Sequence, residues 1–564
     1  MNTRKIILRF LTISCLAGTM MGCSKNFLER PPTDQLTDGS FYQNDDQLYA
    51  GTQLLYSKVW FDYNDKASFN LGDFRAGTVY SMWNYQDNVR FNTNGNTIDN
   101  GSAWRSFYNV IAQSNLAISN INTYAGPDVT PAVKEQTIAE ARFMRATAYR
   151  FLVMNWGAVP IIEDNLKHLG DTGITRNTVP SVWRFITREY RAAAEILPLS
   201  PPRPGRITRW AAEGMLARTY LVRAGVEGTG ANGRKQEFLD SAKYFAERVI
   251  TMSGAQLLGN YADLFLFPYD NNKESLFELQ WVYSGPNAWG TQNSAPAYFT
   301  YSGDIANGDG WGGDVSATFW MLANYEGMVK RGDTAIAGRT LDQRLKATFM
   351  LPGASYPEIT QSINGGEQKL IFPYVTGDFN FVSVKKYVVG KAKDVDGQAA
   401  SQRYGHDTYM LRLAEMYLIY AEATLGNNAQ TDDAKALEYF NRIRTRAGLP
   451  RLEDPVTHTP MPITQDIIQK ERFIEFAMEG QAWYDLVSLH YYNPEKAYAI
   501  LEAQDRGLFR AVPDVFPNPT QWLFEITTWD NNRHIVANAG NFQLPIPSPE
   551  LAQAPNLNKE PVDY

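Results

Sequence analysis

Residues 409–450 read YMLRLAEMYLIYAEATLGNNAQTDDAKALEYFNRIRTRAGLP. At helical period the first half puts Leu411, Ala414, Leu418, Ala421 and Leu425 on one stripe, with Met410, Leu413, Tyr417, Tyr420 and Thr424 on the stripe beside it. An apolar face that wide does not suit a surface helix and predicts one packed between neighbours. Gly426-Asn427-Asn428 breaks the pattern. A second helix is predicted beyond it, with Ala436, Phe440, Ile443 and Ala447 at +4, +3 and +4 spacing. Arg442, Arg444 and Arg446 crowd its last turn, where the helix dipole favours cations, and Gly448 and Pro450 stop it.

Gly, then Ala, Phe and a small or aliphatic residue, then Pro is the order of a tetratricopeptide-type (TPR) helical hairpin, here with a longer connection between the Gly and the first Ala. Similar patterns lie upstream. Apolar residues at helical spacing mark Phe41–Trp60, Ser102–Tyr124 and the block AEARFMRATAYRFLVMNWGAVPII at Ala139–Ile162, which Gly157 and Pro160 terminate. Pro180–Leu197, Thr208–Gly225 and Phe238–Thr251 follow, and helix pairs between Gly/Pro/Asn turns predict a solenoid-like half. Trp104, Trp156, Trp183, Trp210 and Trp483 sit inside these patterns and are expected in the core.

Two stretches lack a period. Phe69–Asp99 is rich in Asn, Gly and aromatics, which reads as a long ordered loop of the kind that carries function. Tyr261–Tyr409 is the other. From Trp281 to Tyr325 it holds ten aromatics in 45 residues, with short alternating runs such as Phe379–Val384 that predict small strands. The tail LPIPSPELAQAPNLNKEPVDY is Pro-rich and expected to lie extended over the body.

The 564 residues are 44% hydrophobic and 20% charged, enough for a large core in two intimately packed lobes, with no linker between them. A net charge of −7 argues against nucleic acid, which requires a basic stripe. Arg4 and Lys5 precede an apolar run, Ile6–Met21, that ends at Gly22-Cys23; this is a secretory signal, too short and interrupted to span a membrane. A small residue before Cys resembles a bacterial lipoprotein cleavage box, although Met20 and Met21 depart from its usual residues, and predicts lipidation at Cys23. Cys15 leaves with the signal, so the mature chain holds one thiol and no disulfide.

Taken together these residues resemble the SusD/RagB family of nutrient-binding outer-membrane lipoproteins. The resemblance is carried by Cys23 with Phe27-Leu28, the 139–162 block, and Gly205-Arg206-Ile207-Thr208 with Ala211-Ala212. It continues through Leu411-Arg412 with Ala414–Leu418, Asn441-Arg442-Ile443-Arg444 with Arg446-Ala447-Gly448, and Glu471-Arg472 with Glu475, Glu479-Gly480, Trp483 and Asp485-Leu486. Leu544–Pro547 closes the series. Ala482, Lys559-Glu560 and Asp563 depart from the family's usual text. The resemblance implies a mainly α, SusD-like fold in which TPR-type helical hairpins support an irregular loop-rich lobe with a few short strands. It divides the chain into a signal peptide (1–22), an N-terminal helical region (23–260) and a C-terminal region (261–564), the last containing the loop-rich lobe (261–408) and helical hairpins (409–490). It also implies a surface-exposed, lipid-anchored place in the outer membrane and a partner, a SusC-like TonB-dependent transporter. The ligand it implies is an oligosaccharide, with peptide the alternative.

A pyranose presents a flat C–H face that stacks on Trp or Tyr, while its hydroxyls need Asn, Asp, Arg or backbone partners. Two stretches supply that mix: Asp73 and Arg75 with Trp83, Asn84 and Tyr85, and Tyr283, Trp289, Tyr301 and Trp311. Ordinary core packing is the competing reading for each ring. Trp83 and Trp289 have polar and Gly neighbours that leave little apolar context to bury them, whereas the Gly310-Trp311-Gly312 text resembles the family's and favours a structural role.

Catalysis is not expected. Glu140, Glu415, Glu422, Glu471, Glu475 and Glu479 could be offered as a glycosidase pair, making a surface glycoside hydrolase the remote alternative, but they lie in predicted helices near Arg and read as scaffold ion pairs. The five His are scattered without metal-ligand spacing, so no metal or cofactor is predicted. Asp270-Asn271-Asn272 reads as a turn that could touch an incidental Ca²⁺. No GxSxG, P-loop or dinucleotide fingerprint is present.

Overall fold

The computed structural model describes residues 37–81, 86–228, 233–285, 289–313, 315–373, 382–528 and 534–564. The signal segment, Cys23, Trp83, Asn84, Tyr85 and residues 379–381 therefore lie outside the described residues. No helix among the described residues is long and apolar enough to cross a membrane.

The periodic stretches are helices: Ile98–Tyr124, Pro131–Trp156, Val179–Ile196, Arg209–Val226, Gln236–Met252, Leu413–Leu425 and Ala434–Arg446. They pack in chain order, each against the next, and Gln236–Met252 then packs on Leu413–Leu425 across the intervening lobe. This last contact makes the two halves one frame. Leu413, Ala414, Leu418, Ala421 and Leu425 are all buried, as the double stripe requires. Asp433 accepts from the Ala436 N–H at 2.8 Å and caps the second helix of the hairpin. The five tryptophans of the helical patterns are buried, and Trp104 meets Trp156 edge-on at 5.2 Å.

Three expectations change. The 409–425 run is not one helix: Thr408–Arg412 is a strand paired antiparallel with Ser275–Leu279, so the helix starts at Leu413. Met410 and Leu411 are buried in either conformation, and pairing with a strand more than 130 residues away overrides their helical spacing. Phe41–Trp60 splits into a helix, Asp45–Gln53, and two 3₁₀ turns, Leu54–Tyr56 and Lys58–Trp60, because Ser57 adopts φ −147°, ψ −81° between them. The tail runs over the body, with Leu544 N–H on Asn155 O and Val562 N–H on Arg176 O, but it includes a short helix, Ser548–Gln553.

The loop-rich lobe is built from short antiparallel strands. Val79–Ser81, Val315–Ala317, Ser383–Val384 and Phe349–Met350 form one four-stranded sheet in that order. Leu508–Pro513, Trp522–Thr528, Ala335–Gly338 and Met328–Arg331 form another. The strands of the first sheet, two or three residues each, are shorter than the length at which alternation becomes readable.

Frame and lobe are joined by a buried ionic cluster assembled from the family-like motifs. Arg412 reaches Glu274 at 2.8 Å, Glu475 at 2.7 Å and Glu479 at 2.7 Å; Arg446 reaches Glu274 at 3.1 Å, and also Glu475. Arg344 pairs with Asp342 at 2.8 Å and Glu475 at 3.0 Å, and Lys386 with Glu479 at 2.9 Å. Burial opposes ionisation of Glu475, but Arg446, Arg412 and Arg344 outweigh it and hold the carboxyl well below its ordinary range. Glu479 belongs to the turn after the Gln465–Glu475 helix, not to a helix. Gly480 next to it lies so near Gly72 that a Cβ on Gly72 would come within 2.4 Å of backbone. That contact admits only glycine.

Candidate functional site

The lobe leaves two indoles in solvent. Trp289 is 52% exposed and Trp311 57%, against a background in which the helical tryptophans are buried. Trp289 stands on a loop fastened at Asn293 to a small hairpin, Ala399–Ala400 with Arg403–Tyr404. Asn293 exchanges both backbone hydrogen bonds with Tyr404, at 2.9 and 3.1 Å, and Tyr404 donates its hydroxyl to Gly390 O at 3.1 Å. Asn293 is in turn held by its side chain, accepting from Asn64 at 2.9 Å and donating to His406 O at 2.8 Å. Buried amides therefore set the height at which the Trp289 loop emerges.

Trp289 is oriented by two contacts. Phe61 meets it edge-to-face at 5.2 Å, and the Arg403 guanidinium lies over its ring at 5.6 Å. Phe61 packs against buried Trp281, so the exposed ring rests on a core ring. Tyr283 is half-buried in the same loop, where Val282 N–H donates to Thr291 O at 2.9 Å. Trp311 projects from a segment that follows 297–303 closely: its N–H donates to Ala297 O at 3.3 Å, and Gly312 N–H to Thr300 O at 2.8 Å. A Cβ on Gly310 or Gly312 would meet that segment's backbone at 2.5 or 2.4 Å. The two glycines thus have the structural role and the indole between them is left free to project. Tyr301 is half-buried, edge-on to Phe372 at 4.9 Å, and burial pushes its phenol up to about 12.

Asp73 and Arg75 do not join this surface. Asp73 is fully buried and accepts from Met478 N–H and Gly480 N–H, each at 2.8 Å, and from Thr78 Oγ1 at 3.1 Å. Burial raises its carboxyl to about 6, with those donors pulling the other way. Arg75 is also buried, its guanidinium 4.7 Å from both the Phe91 and Trp483 rings and donating to Asn541 O. They tie the 70–75 turn to distant scaffold, and their polarity reflects backbone demand rather than ligand demand. Conversely, Arg403 and Phe61 orient Trp289 without any sequence signal beyond residue type.

The glutamates weighed as a catalytic pair are occupied. Glu140 pairs with Arg206, Glu415 with Arg218 and Arg472, Glu422 with Arg234, and Glu471 with Arg344. One acidic group differs from these. Asp270, Glu278 and Asp407 each place a carboxylate oxygen within 4.8 Å of the others, at the paired strands Ser275–Leu279 and Thr408–Arg412. Asp270 also lies 2.7 Å from His406 Nδ1.

Residues 273–562 match a family described as the SusD family, and residues 26–221 one described as starch-binding, associating with outer membrane. A SusD-like protein of Bacteroides ovatus is 33% identical over 570 aligned positions, covering 99% of this chain and 98% of that one. A crystal structure described as containing xylogluco-oligosaccharide is 32% identical, covers 92% of this chain and 99% of its own, and superposes with a TM-score of 0.79. A SusD superfamily protein of Parabacteroides distasonis shares the fold at 18% identity, covering 93% of this chain and 99% of its own, with a TM-score of 0.66.

Proposed function

The chain belongs to the SusD family, and on that premise we propose that it is a non-catalytic glycan-binding lipoprotein of the cell surface. It captures an oligosaccharide on Trp289 and Trp311, with Tyr283 and Tyr301 beside them, and delivers it to a TonB-dependent outer-membrane transporter. Trp83, Asn84 and Tyr85, outside the described residues, are proposed as further ligand contacts on their residue types alone. Cys23 supplies the lipid anchor. The observation that carries this reading is the exposure of both the Trp289 and the Trp311 indole on loops of the lobe. Flat apolar rings with polar neighbours match the C–H faces and hydroxyls of a pyranose chain. The relative described with xylogluco-oligosaccharide favours a β-glucan of that kind as the first ligand to try.

The test is native affinity electrophoresis and calorimetric titration with xyloglucan and xylogluco-oligosaccharide, run beside a mixed peptide pool. Retardation and saturable heat with glycan, abolished in Trp289→Ala/Trp311→Ala, are expected. Binding that survives the double variant, or saturable heat with peptide alone, overturns the reading. Release of shortened glycan on incubation would reassign the protein as a hydrolase.

A further inference from the structure

We propose that the helical frame holds one chloride ion beside the buried guanidinium of Arg150.

Arg150 lies on the Pro131–Trp156 helix and is only 3% exposed, with Arg218 and Arg472 buried on neighbouring helices. Its Nη2 donates to Gln481 Oε1 at 3.4 Å, a long contact, while Nε and Nη1 have no hydrogen-bond partner. Arg218 and Arg472 differ. Both pair with Glu415, and Arg472 also pairs with Asp485 at 2.6 Å. Among the described residues no carboxylate pairs with Arg150, so three guanidinium charges face two carboxylates and one positive charge is left over. The neighbouring Glu422 is matched by Arg234 at 3.0 Å and does not alter that balance. Burial, with Arg218 adding to it, pulls Arg150 down to about 10, still far enough above neutrality to keep the group cationic at pH 7.

The second observation is the company of Arg150. It lines, with Gln469 and Arg472, a cavity of about 20 Å³ where the Pro131–Trp156, Arg209–Val226, Leu413–Leu425, Gln465–Glu475 and Ala482–His490 helices meet. Arg472 Nη1 and Gln469 Nε2, like Nε and Nη1 of Arg150, are buried without a partner. On the same walls the acceptor without a donor is Asp485 Oδ2. Four donor nitrogens against one acceptor call for a particle that accepts. A space this small takes a single water-sized particle, which excludes sulfate, phosphate and carboxylate ligands. Water would accept the hydrogen bonds but leave Arg150 a buried, unmatched charge, the expensive case. Chloride supplies both the acceptor and the charge.

Glu415 and Asp485 also line the cavity and oppose an anion there. Both oxygens of Glu415 are engaged by Arg218, and Oε1 also by Arg472. Asp485 gives Oδ1 to Arg472, and burial raises its carboxyl above the ordinary range, which lessens its opposition. Entry is available beside Asp485 and Ser488, which are only partly buried.

The experiment uses the full chain dialysed into sodium gluconate and titrated with NaCl at constant ionic strength, so that screening does not change. The melting temperature is expected to rise by about 2 °C at a hundredfold excess of chloride over Kd, and bromide should do the same. Crystals soaked in bromide should show one anomalous-scattering peak in the cavity, within hydrogen-bonding distance of Arg150 and Arg472. Gln469→Glu supplies the missing negative charge covalently; it should melt above the wild type in gluconate and lose the chloride increment. Arg150→Met removes the charge that needs matching, so it should melt at or above the wild type in gluconate and also lose the increment. A wild type indifferent to chloride and bromide, an increment undiminished in both variants, or a bromide-soaked crystal with only a water in the cavity would each overturn the assignment.

Discussion

Replacing Trp289 by Ala removes an exposed platform without opening the core, so its effects on affinity and on stability should separate. A Trp side chain offers about 250 Å², and 52% of this one is exposed, leaving about 130 Å² for a ligand. Arg403 lies over the ring, so a sugar covers about half of that area. At ~25 cal/mol/Å² this amounts to about 1.6 kcal/mol of apolar burial, a loss of 10- to 20-fold in Kd. The folded state loses less: one edge-to-face contact with Phe61 is worth about 0.5–1.5 kcal/mol, and the Arg403 contact is partly solvated. Calorimetric titration with the glycan that the wild type binds gives the first quantity, and urea unfolding followed by tryptophan fluorescence the second. A Kd within threefold of wild type would refute the placement of Trp289 in the ligand surface. Unfolding free energy lowered by more than about 3 kcal/mol would refute the argument that the ring stands outside the core.

Three further outcomes follow from the frame. Arg412→Leu leaves Glu274, Glu475 and Glu479 buried around an apolar residue and should lower the unfolding free energy by about 3–5 kcal/mol; a urea midpoint close to wild type would show that the cluster tolerates the loss. Asp73→Ala removes the acceptor of two buried backbone N–H groups and should cost about 3 kcal/mol while leaving glycan Kd for the folded protein unchanged; an affinity loss without a stability loss would restore Asp73 to the ligand site. Glu415 is held down to about 2 because Arg218, Arg472 and Arg150 outweigh the upward push of burial. A depressed carboxyl stabilises the fold above its unfolded value, and that contribution, about 3 kcal/mol, is lost as pH falls from about 4.5 to about 2. The stability gap between wild type and Glu415→Gln should therefore narrow from pH 7 to pH 3 in urea titrations, and a constant gap would contradict the assignment.

How much of this could be read from the chain depended on the distance over which each residue is satisfied. The helices were legible because their burial repeats locally: Leu418 and Ala421 declare their face within one turn. Thr408–Arg412 was not, because its conformation is set by pairing with Ser275–Leu279. Asp73 and Arg75 looked like ligand groups in a polar loop, yet their partners are Met478, Gly480 and Asn541, more than 400 residues away. Trp289 has the neighbours of an exposed ring, but composition alone gives neither the Phe61 support nor the Arg403 cover. The acidic triad was visible only at Asp270, since Glu278 and Asp407 join it through strand pairing.

The same distinction explains why the family resemblance fixes architecture more firmly than ligand. Arg206, Arg412, Arg446, Glu471, Glu475, Glu479 and Gly480 all carry the resemblance, and all lie in buried ion pairs or in the Gly72 contact. They specify how the hairpins grip the lobe, because an unmatched charge or an added Cβ at any of them is expensive wherever the ligand sits. The exposed faces of Trp289, Trp311 and the Tyr283 loop are under no such demand. Neighbouring side chains such as Arg403 can change without disturbing the Asn293–Tyr404 post that positions them. A frame rigid in its charges can therefore present different ring spacings on short loops, which is where the proposed function places glycan choice.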